Sequence, residues 1–112
     1  MSAGAQLTVT DQRRATRHPV DFPVIAEHFV HGDMNLHISN LSAHGFMVDD
    51  AHDLSRGDRI IIRLPIVGRI EAYCIWRRDN RAGFQFERII RIDDFMGMID
   101  ELQPNPRLRR PR

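Results

Sequence analysis

Met34-Asn35-Leu36-His37-Ile38-Ser39, then Asn40-Leu41-Ser42-Ala43-His44-Gly45, then Phe46-Met47-Val48: this run decides the fold. In its first part Met34, Leu36 and Ile38 alternate with Asn35, His37 and Ser39, the period-2 pattern of a half-buried strand. Gly45-Phe46-Met47-Val48 begins a new strand, so Asn40 to His44 is predicted as the tight connection of a hairpin. Polar side chains in such a turn are free to point at a ligand.

Outward from this hairpin the pattern repeats. Val20-Asp21-Phe22-Pro23-Val24-Ile25-Ala26-Glu27 alternates imperfectly and holds a proline, which predicts an edge strand, and His31-Gly32-Asp33 turns it into the next. Asp49 to Asp58 is a polar loop, Arg59 to Leu64 a fourth strand, and Pro65 to Gly68 a turn. A fifth strand runs from Arg69 to Arg77, with Ile70, Ala72, Cys74 and Trp76 assigned to one face. Asp79 to Ala82 closes a hairpin into a sixth strand, Gly83 to Glu87. The period then becomes helical at Phe95, Met98, Ile99 and Leu102, behind Asp93 as N-cap and ahead of Pro104 as stop. Gly97 lowers the intrinsic propensity of this helix, so packing has to hold it. The predicted fold is mainly β: a six-stranded antiparallel barrel with one C-terminal α-helix.

A chain of 112 residues with 42% hydrophobic content has room for one domain and one core. Residues 1–12 are expected to form a flexible tail, 13–103 the domain, and 104–112 a disordered basic tail. All sixteen basic residues are arginine. Three lie before Val20 and four beyond Gln103, so the body holds nine arginines against fourteen acids. That acidic body, and the lack of a run of surface aromatics, argue against DNA or RNA as partner. No apolar run is long enough for membrane insertion, and Met1 to Gln12 lacks the apolar region of a signal peptide, so a cytoplasmic location is expected. The single cysteine, Cys74, excludes an internal disulfide.

Two short polar segments carry the functional signal: Arg13-Arg14-Ala15-Thr16-Arg17 ahead of the first strand, and Asn40-Leu41-Ser42-Ala43-His44-Gly45 behind the second. The R-x-x-x-R spacing also occurs at Arg59/Arg63 and Arg77/Arg81, but those pairs fall on strands or a hairpin, whereas Arg13 to Arg17 lies in an arm able to fold over a ligand. Together, R-x-x-x-R and N-x-S-x-x-G resemble the two signatures of the PilZ family. Trp76 to Phe86 is similar to that family's late hairpin.

The resemblance spans about residues 11 to 103. It implies the same barrel with a C-terminal helix, no enzymatic activity, and a receptor for cyclic di-GMP acting in trans on an unidentified effector protein. The ligand-binding residues it implies are Arg13, Arg17, Asn40, Ser42 and Gly45. A guanidinium can fork onto guanine O6 and N7, bind phosphate, or stack on a purine, and Asn40 and Ser42 add neutral donors and acceptors. Gly45 allows positive φ or a close backbone approach to the ligand. Trp76 either stacks on a guanine or belongs to the core. Gln12 stands where many relatives carry another arginine; Arg14 either compensates or points to solvent, and ligand stoichiometry stays open.

Other chemistries find less support. The six histidines fall on strands and turns without companion ligands at metal-binding spacing, and the Asp49, Asp50, His52, Asp53 loop lacks the alternation of a calcium site. No nucleophile motif, P-loop or dinucleotide fingerprint occurs, so neither catalysis, cofactor nor metal is expected. The alternative from another class is a PilZ-like interaction module that binds no nucleotide.

Overall fold

The computed structural model describes residues 16–51 and 53–102. The expected flexible and basic tails, with Arg13 and Arg14, lie outside these residues. Six strands form: β1 (His18–His28), β2 (Gly32–Leu41), β3 (Gly45–Asp49), β4 (Arg59–Leu64), β5 (Gly68–Arg78) and β6 (Arg81–Phe86), followed by helix α1 (Ile92–Leu102). They pair antiparallel in the order β1-β2-β3-β6-β5-β4 and close into a barrel. β1 is therefore not an edge strand. Its pairing with β4 is nonetheless brief, at Glu27 and His28, against a long ladder with β2. The segment holding Pro19 and Pro23 thus loses no ladder bond on the β4 side, which is what a strand with two prolines tolerates.

The alternating apolar residues fill the barrel. Ile38, Leu41, Phe46, Val48, Ile60, Ile62, Ile70, Phe84 and Phe86 are buried in one cluster. Phe46 and Phe84, opposite each other on β3 and β6, stack with ring centroids 5.0 Å apart. Burying one such side chain contributes roughly 1.5–3 kcal/mol, so this cluster dominates stability. Phe95, Met98 and Ile99 of α1 join it, and Phe95 packs against the His18 ring at the start of β1. The helix is held by this packing, as its weak propensity requires. It starts at Ile92, one residue before the expected Asp93 cap, because the Phe95 amide already bonds the Arg91 carbonyl at 2.9 Å. Asp93 and Asp94 instead occupy the first turn, where negative charge meets the positive end of the helix dipole.

Three ladders shift register, between Pro19 and Phe22 on β1, between Ile38 and Asn40 on β2, and between Cys74 and Trp76 on β5. Each adds a residue to one strand, bending it and reversing which face the following side chains take. On β5 this reversal moves Trp76 off the face of Ile70, Ala72 and Cys74. Those three are buried, whereas Trp76 is half-buried and lies outside the core cluster.

Candidate functional site

The bulges align a row of residues across five strands. Pro19 pairs with Asn40, Asn40 with Met47, Met47 with Gly83, and Gly83 with Trp76. At one end Arg17, just before β1, donates from Nη1 to Asn40 Oδ1 at 3.0 Å. Asn40 Nδ2 in turn reaches the Met47 thioether at 3.7 Å. At the other end the Trp76 indole lies across Gly83: a Cβ there would stand 2.0 Å from Nε1, so only glycine leaves room for the ring. Arg17, Asn40, Met47 and Trp76 thus make one continuous outer strip, polar at one end and aromatic at the other.

The N-x-S-x-x-G segment splits into two roles. β2 runs on through Asn40 and Leu41, so the connection is three residues, Ser42 to His44, shorter than the predicted turn. Asn40 sits half-exposed on the row, but Ser42 is buried. Its amide bonds the Gly45 carbonyl at 2.8 Å, and its Oγ accepts from the amides of His44 and Gly45 at 3.2 and 3.3 Å. The hydroxyl therefore closes the turn. The turn is anchored from outside as well, since the Ala43 and His44 carbonyls accept from the Ile90 and Phe86 amides at 2.9 and 2.8 Å. Gly45 does not use positive φ; a Cβ there would fall 1.9 Å from the Phe84 carbonyl oxygen, so the glycine permits close contact between β3 and β6. The tight approach is to a neighbouring strand.

Beside the row, Met47, Trp76 and the hairpin Arg77–Arg81 line an open cavity of about 650 Å3. Its size falls within the range of small-molecule sites, and its lining combines Met47 and Trp76 with three arginines, the Asp79 carboxylate and the Asn80 amide. Sequence reasoning missed Met47 and Gly83; a glycine inside a strand pattern is the signal that a ring or a backbone passes close by.

The electrostatics below the row centre on His37, whose Nε2 meets Asp21 Oδ1 while Nδ1 lies 3.6 Å from Asp49 Oδ2. The hydrogen bond to Asp21, against a smaller opposing effect of burial, raises the His37 pKa above its ordinary value, and the Asp49 charge adds to it. The Arg81 Nε stands 3.7 Å from the other Asp49 oxygen. A second imidazole has a structural task that the sequence did not disclose. His28 is buried, with Nδ1 accepting from the Val30 and His31 amides at 3.0 and 3.1 Å, so Nε2 carries the proton and donates to Asp58 at 2.9 Å. Burial works against ionisation of Asp58, but the bonds from His28 and the Ser55 amide outweigh it and hold the pKa below the ordinary value. Burial pushes the Cys74 thiol up, as suits a core residue. Among the described residues no group of three or more His, Cys, Asp or Glu side chains is arranged to hold a metal, and no helix is long and apolar enough to cross a membrane.

No curated protein matches this chain. Among solved structures it is similar to the PilZ domain of CeSA from a cellulose-synthesizing bacterium, at 21% identity over 79% of this chain and 95% of that one, with a TM-score of 0.52. At that identity the likeness speaks to the barrel and its helix. The family model for the PilZ domain matches residues 11–101, a span that takes in the arm, the Ser42 turn, the bulged row and α1. With the closed six-stranded barrel and both polar segments inside that span, the chain belongs to the PilZ domain family.

Proposed function

We propose that this domain is a receptor for cyclic di-GMP that acts in trans on a partner protein, and that it binds without catalysing a reaction. The observation that carries the reading is the Arg17–Asn40 hydrogen bond: it joins the second arginine of one motif to the first residue of the other, far apart in sequence, at one end of a strip that ends in an indole. Arg13 and Arg17 clamp the ligand, with Arg14 beside them, Asn40 supplies a neutral amide, and Trp76 offers a face for a guanine. Ser42 and Gly45 serve by fixing the turn that presents Asn40. The bond to Asn40 Oδ1 directs Arg17, the second motif arginine, at the strip.

Charge-assisted hydrogen bonds contribute about 1.5–3 kcal/mol each, so three or four of them, less the cost of ordering the arm, reach micromolar affinity, roughly −8 kcal/mol. The test is calorimetric titration of cyclic di-GMP into the protein and into Arg17→Ala, with GTP as control. Micromolar binding that the substitution abolishes supports the receptor; no heat with the wild type, with unchanged NMR shifts at Asn40 and Ser42, would return the domain to a nucleotide-free interaction module. Action in trans follows if closing the arm changes the surface beside β1. A captured partner that binds equally well with and without cyclic di-GMP would refute that coupling.

A further inference from the structure

The β5–β6 hairpin carries a charge arrangement that works against folding. Arg78 and Arg81 are cross-strand partners and both are exposed, and like charges set directly opposite each other destabilise a strand pair. Alternation from Trp76 places Arg78 on the outer face, and alternation from Gly83 places Arg81 there too, so both guanidiniums share the face of the indole. The hairpin is also pinned. The Ala51 amide donates to the Asn80 carbonyl at 2.8 Å, and Arg77 Nε donates to the Ala51 carbonyl at 2.8 Å. Arg81 has one long contact with Asp49, at 3.7 Å on an exposed side chain, too weak to offset the repulsion. The two arginines therefore leave a pinned hairpin on the same face, and both line the cavity with Met47 and Trp76.

We propose that Arg78 and Arg81 form a second phosphate clamp of the site, at the end of the strip away from Arg17, so that a nucleotide whose base stacks on Trp76 meets guanidiniums at both ends. This rests on the receptor reading above. Asn40 and Trp76 are separated by three strand intervals, about 14 Å, and a molecule with two guanines and two phosphates offers contacts along that whole span. A bound phosphate also removes the cause of the strand-pair strain, because two like charges that repel each other both attract it.

A control lies within the same barrel. Arg63 and Arg69 are likewise exposed cross-strand partners, but on β4 and β5 at the other hairpin, about 20 Å along β5 from Trp76. The experiment titrates cyclic di-GMP at low and at physiological salt into the wild type, Arg78→Ala/Arg81→Ala and Arg63→Ala/Arg69→Ala, each checked by thermal unfolding. The hairpin variant is expected to bind at least tenfold more weakly with a flatter salt dependence, while unfolding no lower than the wild type; the control variant should bind within about twofold. Arg78→Gln alone should show part of the loss. If the wild type binds and the hairpin variant stays within twofold of it, or if both double variants lose affinity equally, the clamp is refuted and the receptor reading stands. A wild type that does not bind refutes both.

Discussion

The two hairpin tips of this barrel, His28–Gly32 between β1 and β2 and Arg78–Arg81 between β5 and β6, are both tied down, but by opposite means. The first is held by a side chain, since the buried His28 imidazole gathers two tip amides on one nitrogen and Asp58 on the other. The second is held at Ala51, whose amide bonds the Asn80 carbonyl and whose carbonyl takes the Arg77 guanidinium just outside the tip. What they present differs as well: Phe29 and Val30 are 71% and 80% exposed at the first, and a facing arginine pair flanks the second. Anchoring through a buried side chain makes a tip costly to alter. Anchoring at the Asn80 carbonyl and the Arg77 side chain leaves the Arg78 and Arg81 guanidiniums outside the anchor.

The largest effect in this comparison should come from His28→Ala. It removes the partner of the Val30 and His31 amides and one of the two partners of the Asp58 carboxylate, which keeps the Ser55 amide, and about 2 kcal/mol should be lost in denaturant unfolding. A loss under about 1 kcal/mol would mean that the β1–β2 tip is not held by its imidazole. On the other side, Gly83→Ala puts a methyl group into the indole ring and should displace Trp76 at a cost of about 1–2 kcal/mol. Trp76 is the only tryptophan, so its fluorescence reads the change directly, with emission shifted to the red as the ring moves into water. Unchanged emission would show that the strand yields instead of the ring. The smallest effect belongs to His37, between the tips. Its folded pKa is raised, so its stabilising charge is fully present below about pH 6.5 and is lost as the pH rises through the folded value. His37→Gln should therefore cost less than about 1 kcal/mol at pH 6 and nothing at pH 9, the pairs being well exposed.

The architecture was readable because each strand keeps one face dry. Arg59 to Leu64 is a strand in sequence and in structure, and β2 was found from Met34, Leu36 and Ile38. What period-2 reading cannot detect is a residue inserted into a ladder. Continued alternation from Ile70 put Trp76 beside Cys74, and the bulge after Cys74 sends it outward. The same effect obscured the length of β2, because Asn40 looks like a turn residue but pairs with Met47. The pairing of Arg17 with Asn40 has no local signal at all. Resemblance to a family suggested that both belong to one site, and the ladder that joins β1 to β2 brings them together.

The row from Arg17 to Trp76 has a consequence for how the chain comes to be folded. Its members belong to β1, β2, β3, β6 and β5, so no single hairpin contains the strip, and a nascent chain lacks it until Gly83 has been made and paired. Contacts of such long sequence separation form late and slowly. A molecule recognised along the strip is thus recognised only by the completed barrel, never by an unfinished one. By mass action, any molecule so recognised draws the population toward the finished state as its concentration rises above its dissociation constant.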